Sequence, residues 1–237
     1  MSATYAAAQR LGTRSHQCDA TAVRTVAGTR AYVLLDGIGS SDAVRDWTRA
    51  TTRNLATAAA RSGHAEATLR GVRDRIAAAR EKLTDPWDRP SAVAVVALHR
   101  IGSRSLSVAW CGDARAYLYQ DGCAHRLTTD HNMRQERLTA GFTPRPGDRN
   151  LVTSCLGSDA WAPIGSVTTD LSGPSRLLLA SDGCYEPIED AHRDMGAFLY
   201  GGTPTELARH LVNVAVDLAD PTHTDNATAL VANLETR

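Results

Sequence analysis

The chain has 237 residues, 43% of them apolar, and its 26 basic and 26 acidic residues cancel. That length suits one domain with a full core, and zero net charge speaks against a field that would recruit nucleic acid or a membrane surface. Five cysteines without a CxxC pair argue against a zinc knuckle or a disulfide framework.

No apolar run approaches the roughly 20 residues of a membrane span, and MSATYAAAQRLGTR lacks the pattern of a signal peptide. A cytoplasmic setting and a monomer are the expectation. Three strands open the chain, TYAAAQR, DATAVRTV and TRAYVLLDG, with Gly28 in the turn between the last two. From Asp42 the pattern turns helical and runs to Gly63. A second helix follows, because Leu69, Val72, Ile76, Ala79 and Leu83 recur at three- and four-residue steps. Asp85-Pro86 ends it, since proline disfavours helix in the residue before it.

Three more β-type runs are SAVAVVALHR, LSVAWCGD and ARAYLYQ, and Asp121-Gly122 turns the last into CAHRL as a tight hairpin. Residues 131–150 are polar, with Gly141, Pro144, Pro146 and Gly147 close together, which predicts a surface loop after a short helix. Strands follow around Ile164–Leu171 and Arg176–Ser181. Thr203-Pro204-Thr205-Glu206 then supplies an N-cap, a first-turn proline and a capping-box glutamate. Leu207, Leu211, Val214 and Leu218 form the expected buried stripe of that helix, and ATALVANL closes the chain. Strands outnumber helices and the helices come in groups. This is an α+β pattern of packed antiparallel sheets covered by helices.

Four aspartates stand where apolar runs stop or start: Asp36, Asp113, Asp182 and Asp225. Carboxylates converging there would repel by about 4 kcal/mol per pair at 4 Å and an effective dielectric near 20. A cation among them would remove that cost, which points to a hydrolase working through divalent metals. Each residue also has a plainer explanation. An Asp-Gly pair after a strand is by default a turn, as at Asp121-Gly122. Asp36-Gly37 and Asp182-Gly183 instead follow wholly apolar strands with no hairpin to account for them. Asp225-Asn226 could be an Asx turn, and Asp113 could cap a bulge or pair with Arg115. His16 is by default a solvated loop histidine. Cys111, Cys155 and Cys184 read as apolar fillers, and Trp47, Trp110 and Trp161 as core anchors.

Taken jointly, R-S-H-Q-C-D-A at 14–20, L-L-D-G-I-G at 34–39, W-C-G-D-A-R-A-Y-L-Y at 110–119, L-T-T-D-H at 127–131, L-L-A-S-D-G at 178–183 and D-N-A-T-A-L-V at 225–231 are informative. In this order they resemble the metal-dependent protein phosphatases (the PPM, or type 2C, family) over nearly the whole chain. The resemblance implies two antiparallel sheets packed as a sandwich and flanked by helix pairs, in α-β-β-α layers. It implies one domain over 1–237, with a short flap near 131–150. It also implies two Mn²⁺ or Mg²⁺ ions, with a third held weakly. Asp36 would bridge the pair, Gly37 would lend its carbonyl, and Asp182 and Asp225, with Asn226 beside them, would be further ligands. Asp19 would hold a metal-associated water, Asp113 would help hold the third ion, and Arg14 would grip the phosphate. Oxygen donors suit such hard cations, and two ions can activate water without a serine or cysteine nucleophile.

The chain departs from the family at Gln17-Cys18, where Asn with Glu or Gln is usual, and at Ile38, where some relatives carry histidine. Gly39-Ser40-Ser41 and Pro90-Ser91-Ala92 replace glycine-rich motifs. The leading expectation is a serine/threonine protein phosphatase acting on a phosphorylated regulatory protein paired with a kinase. The alternatives are a catalytically weak or inactive phosphatase-like module that binds such a partner, and a hydrolase of small phosphoesters.

Overall fold

The computed structural model describes residues 4–80, 89–158 and 162–236. In chain order the first elements are β1 (Tyr5–Arg10), β2 (Ala20–Val26), β3 (Thr29–Ile38), α1 (Asp42–Ser62) and α2 (Ala65–Arg80). Next come β4 (Ser91–Arg100), β5 (Ser105–Cys111), β6 (Arg115–Gln120), β7 (Cys123–Arg126) and α3 (Met133–Thr139). The rest are β8 (Gly165–Asp170), β9 (Ser175–Ala180), α4 (Asp182–Asp190), α5 (Met195–Leu199), α6 (Pro204–Leu218) and β10 (Ala227–Leu234). The strands form two five-stranded sheets, β1-β10-β9-β6-β7 and β2-β3-β4-β5-β8. Every neighbouring pair is antiparallel.

Strand periodicity sorts the apolar residues into three cores. On β3, Tyr32 and Leu34 face the other sheet, while Ala31, Val33 and Leu35 face α1 and α2. On β9 and β10, Leu177, Leu179 and Leu230 enter the sandwich, while Leu178, Ala180 and Val231 meet α4 and α6. Both faces of the central strands are therefore buried, giving the α-β-β-α layering expected from the sequence. Full burial of each Leu or Val contributes about 1.5–3 kcal/mol.

Local chemistry sets the element ends. Ser41 Oγ accepts the Val44 N–H at 3.3 Å to start α1, and Gly63 at φ 72° stops it. The capping box at Thr203 and Glu206 forms as the sequence predicts. Asp121 and Gly122 both take positive φ, the conformation that a two-residue hairpin needs.

The sequence reading differs from the structure in three places. It does not anticipate α4 or α5. In α4, Pro187 removes one backbone bond, and burial of Cys184, Tyr185 and Ile188 offsets that loss. The stripe of α6 does not continue to Leu218, which is 37% exposed; Ala208, Val212 and Ala215 complete the buried face around Leu207 and Leu211. Leu83, Asp85-Pro86 and Trp161 lie outside the described residues. Trp47 packs partly buried on the helix-side core, and Trp110 is buried in the sandwich. Cys111 and Cys184 are fully buried and Cys155 partly so. Burial pushes the thiols of Cys111 and Cys184 up, as suits inert filler.

Candidate active site

The acids of the sequence blocks come from different elements but reach one edge of the sandwich. Asp36 is near the end of β3, Asp113 is in the turn between β5 and β6, Asp182 opens α4 directly after β9, and Asp225 precedes β10. Arg14 is in the loop from β1 to β2. These five residues and Gly37 line a single cleft of about 750 Å³. Asp19 lies behind the cleft wall, 2% exposed, against Thr228, Ser181 and Asp36.

Close backbone approach explains the two Asp-Gly pairs that lack a hairpin. A Cβ on Gly37 would stand 2.7 Å from the Cys18 carbonyl oxygen, and one on Gly183 would stand 2.3 Å from that of Asn226. The glycines let the acid-bearing segments pack against one another. Asn226 locks the loops together: its Oδ1 accepts the Cys18 N–H at 2.8 Å and its Nδ2 donates to the Leu11 carbonyl at 2.8 Å. Thr13 N–H donates to the Thr224 carbonyl at 2.9 Å. Arg14 and Asp225 are thus carried on two loops bonded into one unit, and Arg14 Nη2 meets Asp225 Oδ2 at 2.5 Å.

Electrostatically the cleft is unbalanced. Burial, then the charges of Asp19, Asp182, Asp113 and Asp225, push the Asp36 carboxyl well above its ordinary range. Asp182 is raised by burial and by Asp225. Asp19 and Asp113 are each pushed up to about 7, mainly by burial and secondarily by Asp182. Glu186, one turn beyond Asp182, is pushed up to about 8 by burial, with Asp182 adding to it. The Oδ2 of Asp19 is buried without a hydrogen-bond partner.

Among the described residues, no group of three or more His, Cys, Asp or Glu side chains is disposed to hold an ion by itself. Asp225 is turned onto Arg14, and Asp19 is set behind the wall. The residues nevertheless fit hard divalent cations. Their donors are carboxylate oxygens, their mutual repulsion calls for positive charge, and one buried oxygen is orphaned. Magnesium-type ions keep several waters and need only one or two carboxylates each.

Other candidates fall elsewhere. Asp113 does not pair with Arg115; that guanidinium is turned onto Asp130, with Nε–Oδ1 at 2.9 Å and Nη2–Oδ2 at 2.6 Å. Asp113 Oδ2 lies 3.5 Å from Asn132 Nδ2. His16 Nε2 lies 3.3 Å from Asp42 Oδ1 and does not line the cleft. Cys18 is 1% exposed, with Sγ 3.8 Å from the Ser41 carbonyl, and it too lies off the cleft. Sequence reasoning missed Arg149, Glu186 and Asp190, which also line the cleft. The spacing of Asp182, Glu186 and Asp190 would have signalled the last two, had α4 been recognised. Arg149, in a polar segment, carries no such signal.

The layered sandwich superposes on solved bacterial serine/threonine phosphatases. Residues 28–137 match the family model described as Protein phosphatase 2C, which upholds the likeness read from the motifs. No curated protein sequence matches the chain. The S. agalactiae serine/threonine phosphatase superposes with TM-score 0.81 at 19% identity, over 98% of this chain and 99% of that one. The Mycobacterium tuberculosis serine/threonine phosphatase PstP/Ppp gives TM-score 0.76 at 26% identity, over 98% of each chain. The catalytic domain of PstP in complex with two manganese ions gives 0.73 at 25%, over 98% of this chain and 97% of that one.

Proposed function

We propose that the chain is a single-domain, cytoplasmic, Mn²⁺- or Mg²⁺-dependent phosphatase of phosphoserine and phosphothreonine in regulatory proteins paired with a kinase. The supporting observation is the convergence of Asp36, Asp113, Asp182 and Asp225 with Arg14 on one cleft. Asp36, the Gly37 carbonyl, Asp182 and Asp225 would hold two ions, Asp113 would help hold a weaker third, and Asp19 would act from behind through its free oxygen. Bound there, the ions supply Lewis acidity toward phosphoryl oxygens and a water acidified enough to attack near neutral pH.

The chain's own groups position the reactants. Arg14 presents a planar fork to the phosphoryl oxygens, and its bond to Asp225 holds it at the edge of the acidic centre. Water oxygen bonds to phosphorus as the bond from phosphorus to the seryl or threonyl oxygen breaks, and that oxygen must gain a proton. Ile38 lines the cleft but has no proton to give, so it does not serve as the acid for the leaving oxygen.

The test is hydrolysis of an aryl phosphate and of a phosphothreonine peptide, with Mn²⁺ and with chelator. Mn²⁺-dependent turnover of both, abolished in Asp182→Ala, is the expected result. Turnover that survives chelation would remove the metal from the proposal. Metal binding without turnover of any phosphoester would favour the phosphopeptide-binding module.

A further inference from the structure

The phosphatase reading, on which this inference rests, does not by itself say which residues of the cleft engage the polypeptide around the phosphorylated residue. Asp182, Glu186 and Asp190 lie along one face of α4, and all three line the cleft. At 1.5 Å per residue, Glu186 stands about 6 Å and Asp190 about 12 Å along the helix from Asp182. Arg149, in the short 3₁₀ turn Asp148–Asn150, reaches over this outer stretch and lines the cleft itself. Its Nη1 donates to Asp190 Oδ2 at 2.7 Å, and its Nε lies 3.3 Å from Glu186 Oε2.

The segment that carries Arg149 is braced from within. Buried Asp148 pairs with Arg137 Nε at 2.8 Å and accepts the Arg145 N–H at 2.6 Å. The guanidinium is thereby fixed on two sides, while among the described residues its Nη2 donates no hydrogen bond within the protein. A guanidinium already facing two carboxylates is poorly suited to a third anion. Its spare N–H groups suit a neutral acceptor, and a peptide carbonyl is the commonest one. An extended chain advances about 3.3–3.6 Å per residue, so Arg149 is two to three residues along a polypeptide from a phosphoryl group seated by Asp182. Ile38 and Leu218, 46% and 37% exposed, give the same cleft an apolar rim for flanking side chains.

We infer that Arg149 is a substrate-positioning residue that donates to a main-chain carbonyl two to three residues from the phosphorylated one.

The experiment compares an aryl phosphate with phosphothreonine peptides carrying three residues or one residue on each side, using Mn²⁺-loaded unmodified protein, Arg149→Ala and Arg149→Lys. Shortening the peptide should raise KM roughly tenfold in the unmodified protein, the size of one hydrogen bond from a charged donor, with kcat little changed. Arg149→Ala should abolish that length dependence, and Arg149→Lys should restore part of it. Equal losses on aryl phosphate and long peptide would place Arg149 at the phosphoryl group or in flap stability, and would overturn the inference. So would a length effect that survives Arg149→Ala, or one that appears only with acidic flanking residues. Hydrolysis without length dependence removes this inference alone, whereas no hydrolysis of any phosphoester by the unmodified protein removes the phosphatase reading with it.

Discussion

Asp113 and Arg115 are two residues apart, yet they belong to opposite electrostatic regimes. Arg115 is buried with every strong charge beside it answered. It forks onto Asp130, its Nη1 reaches Glu189 Oε2 at 2.6 Å, and its guanidinium lies 3.8 Å over the Tyr185 ring. Burial alone would lower its pKa, but the bonds to Asp130 outweigh that and hold it above the ordinary value. Asp113 faces the cleft, where like charges accumulate and its carboxyl is pushed up to about 7. Tyr185 joins the two regions, because its hydroxyl donates to the Asp113 carbonyl at 3.0 Å. A balanced buried network specifies geometry, whereas an unbalanced one lowers stability in exchange for a place where cations and phosphate can bind.

The sharpest way to break the comparison is Asp36→Asn. It removes the carboxylate that burial and four neighbouring acids push well above its ordinary range, so Mn²⁺-dependent turnover should fall by about 10³-fold, several kcal/mol of transition-state stabilisation. In chelator the same variant should melt higher than the unmodified protein at pH 8. Asp19 and Asp113 have folded-state pKa values raised from 3.8 to about 7. Between those values the folded state binds more protons than the unfolded one, so stability declines as pH rises and the cost is complete above about 7. Urea titrations in chelator should therefore show lower stability at pH 8 than at pH 5, and Asn at position 36 should flatten that slope. A rising slope would mean that the cleft acids are better compensated than the geometry indicates.

The balanced network should respond in the opposite sense. Arg115→Met removes the cation and leaves Asp130, which is 6% exposed, without its fork. Breaking one side of a buried pair costs about 3–5 kcal/mol, so the denaturation midpoint should fall sharply with metal present or absent. A loss under 1 kcal/mol would mean that water reaches Asp130, and the distinction between the regions would weaken.

The two regions were unequally legible in the sequence. The strands and the ends of α1 and α6 announce themselves through alternation and local caps, all short-range signals. The convergence of Asp36, Asp182 and Asp225 was suggested by six blocks in order, because the Asp-Gly pairs mark where strand ends pack closely. Arg115 carried no sign of its partners: Asp130 is 15 residues away and Glu189 is 74. Its pairing with Asp113, the reading that two-residue spacing offers, does not form, because the guanidinium is taken up by Asp130 and Glu189. Helix α4 was hidden because its stability comes from burial against α6 and β10, a tertiary effect that overrides the local penalties of Gly183 and Pro187. With α4 unseen, the cleft face of Glu186 and Asp190 could not be placed.

The finest test lies within the balanced network. Tyr117 donates its hydroxyl proton to Glu189 Oε1 at 2.7 Å, while Arg115 holds Oε2 of the same carboxylate. Tyr117→Phe deletes one hydroxyl from a ring that is otherwise packed in the α4–α6 core. Glu189 is 40% exposed and can recruit water at the vacated position, so the cost should be about 1 kcal/mol, read from urea midpoints. If the two donors act as one unit on Glu189, the double variant Arg115→Met/Tyr117→Phe will lose less than the sum of the single losses, by roughly 0.5 kcal/mol or more. Strict additivity would show that Glu189 is a spectator and that Asp130 alone balances Arg115. The buried network would then shrink to one bidentate pair, and Tyr185 would be left as the element linking it to the cleft.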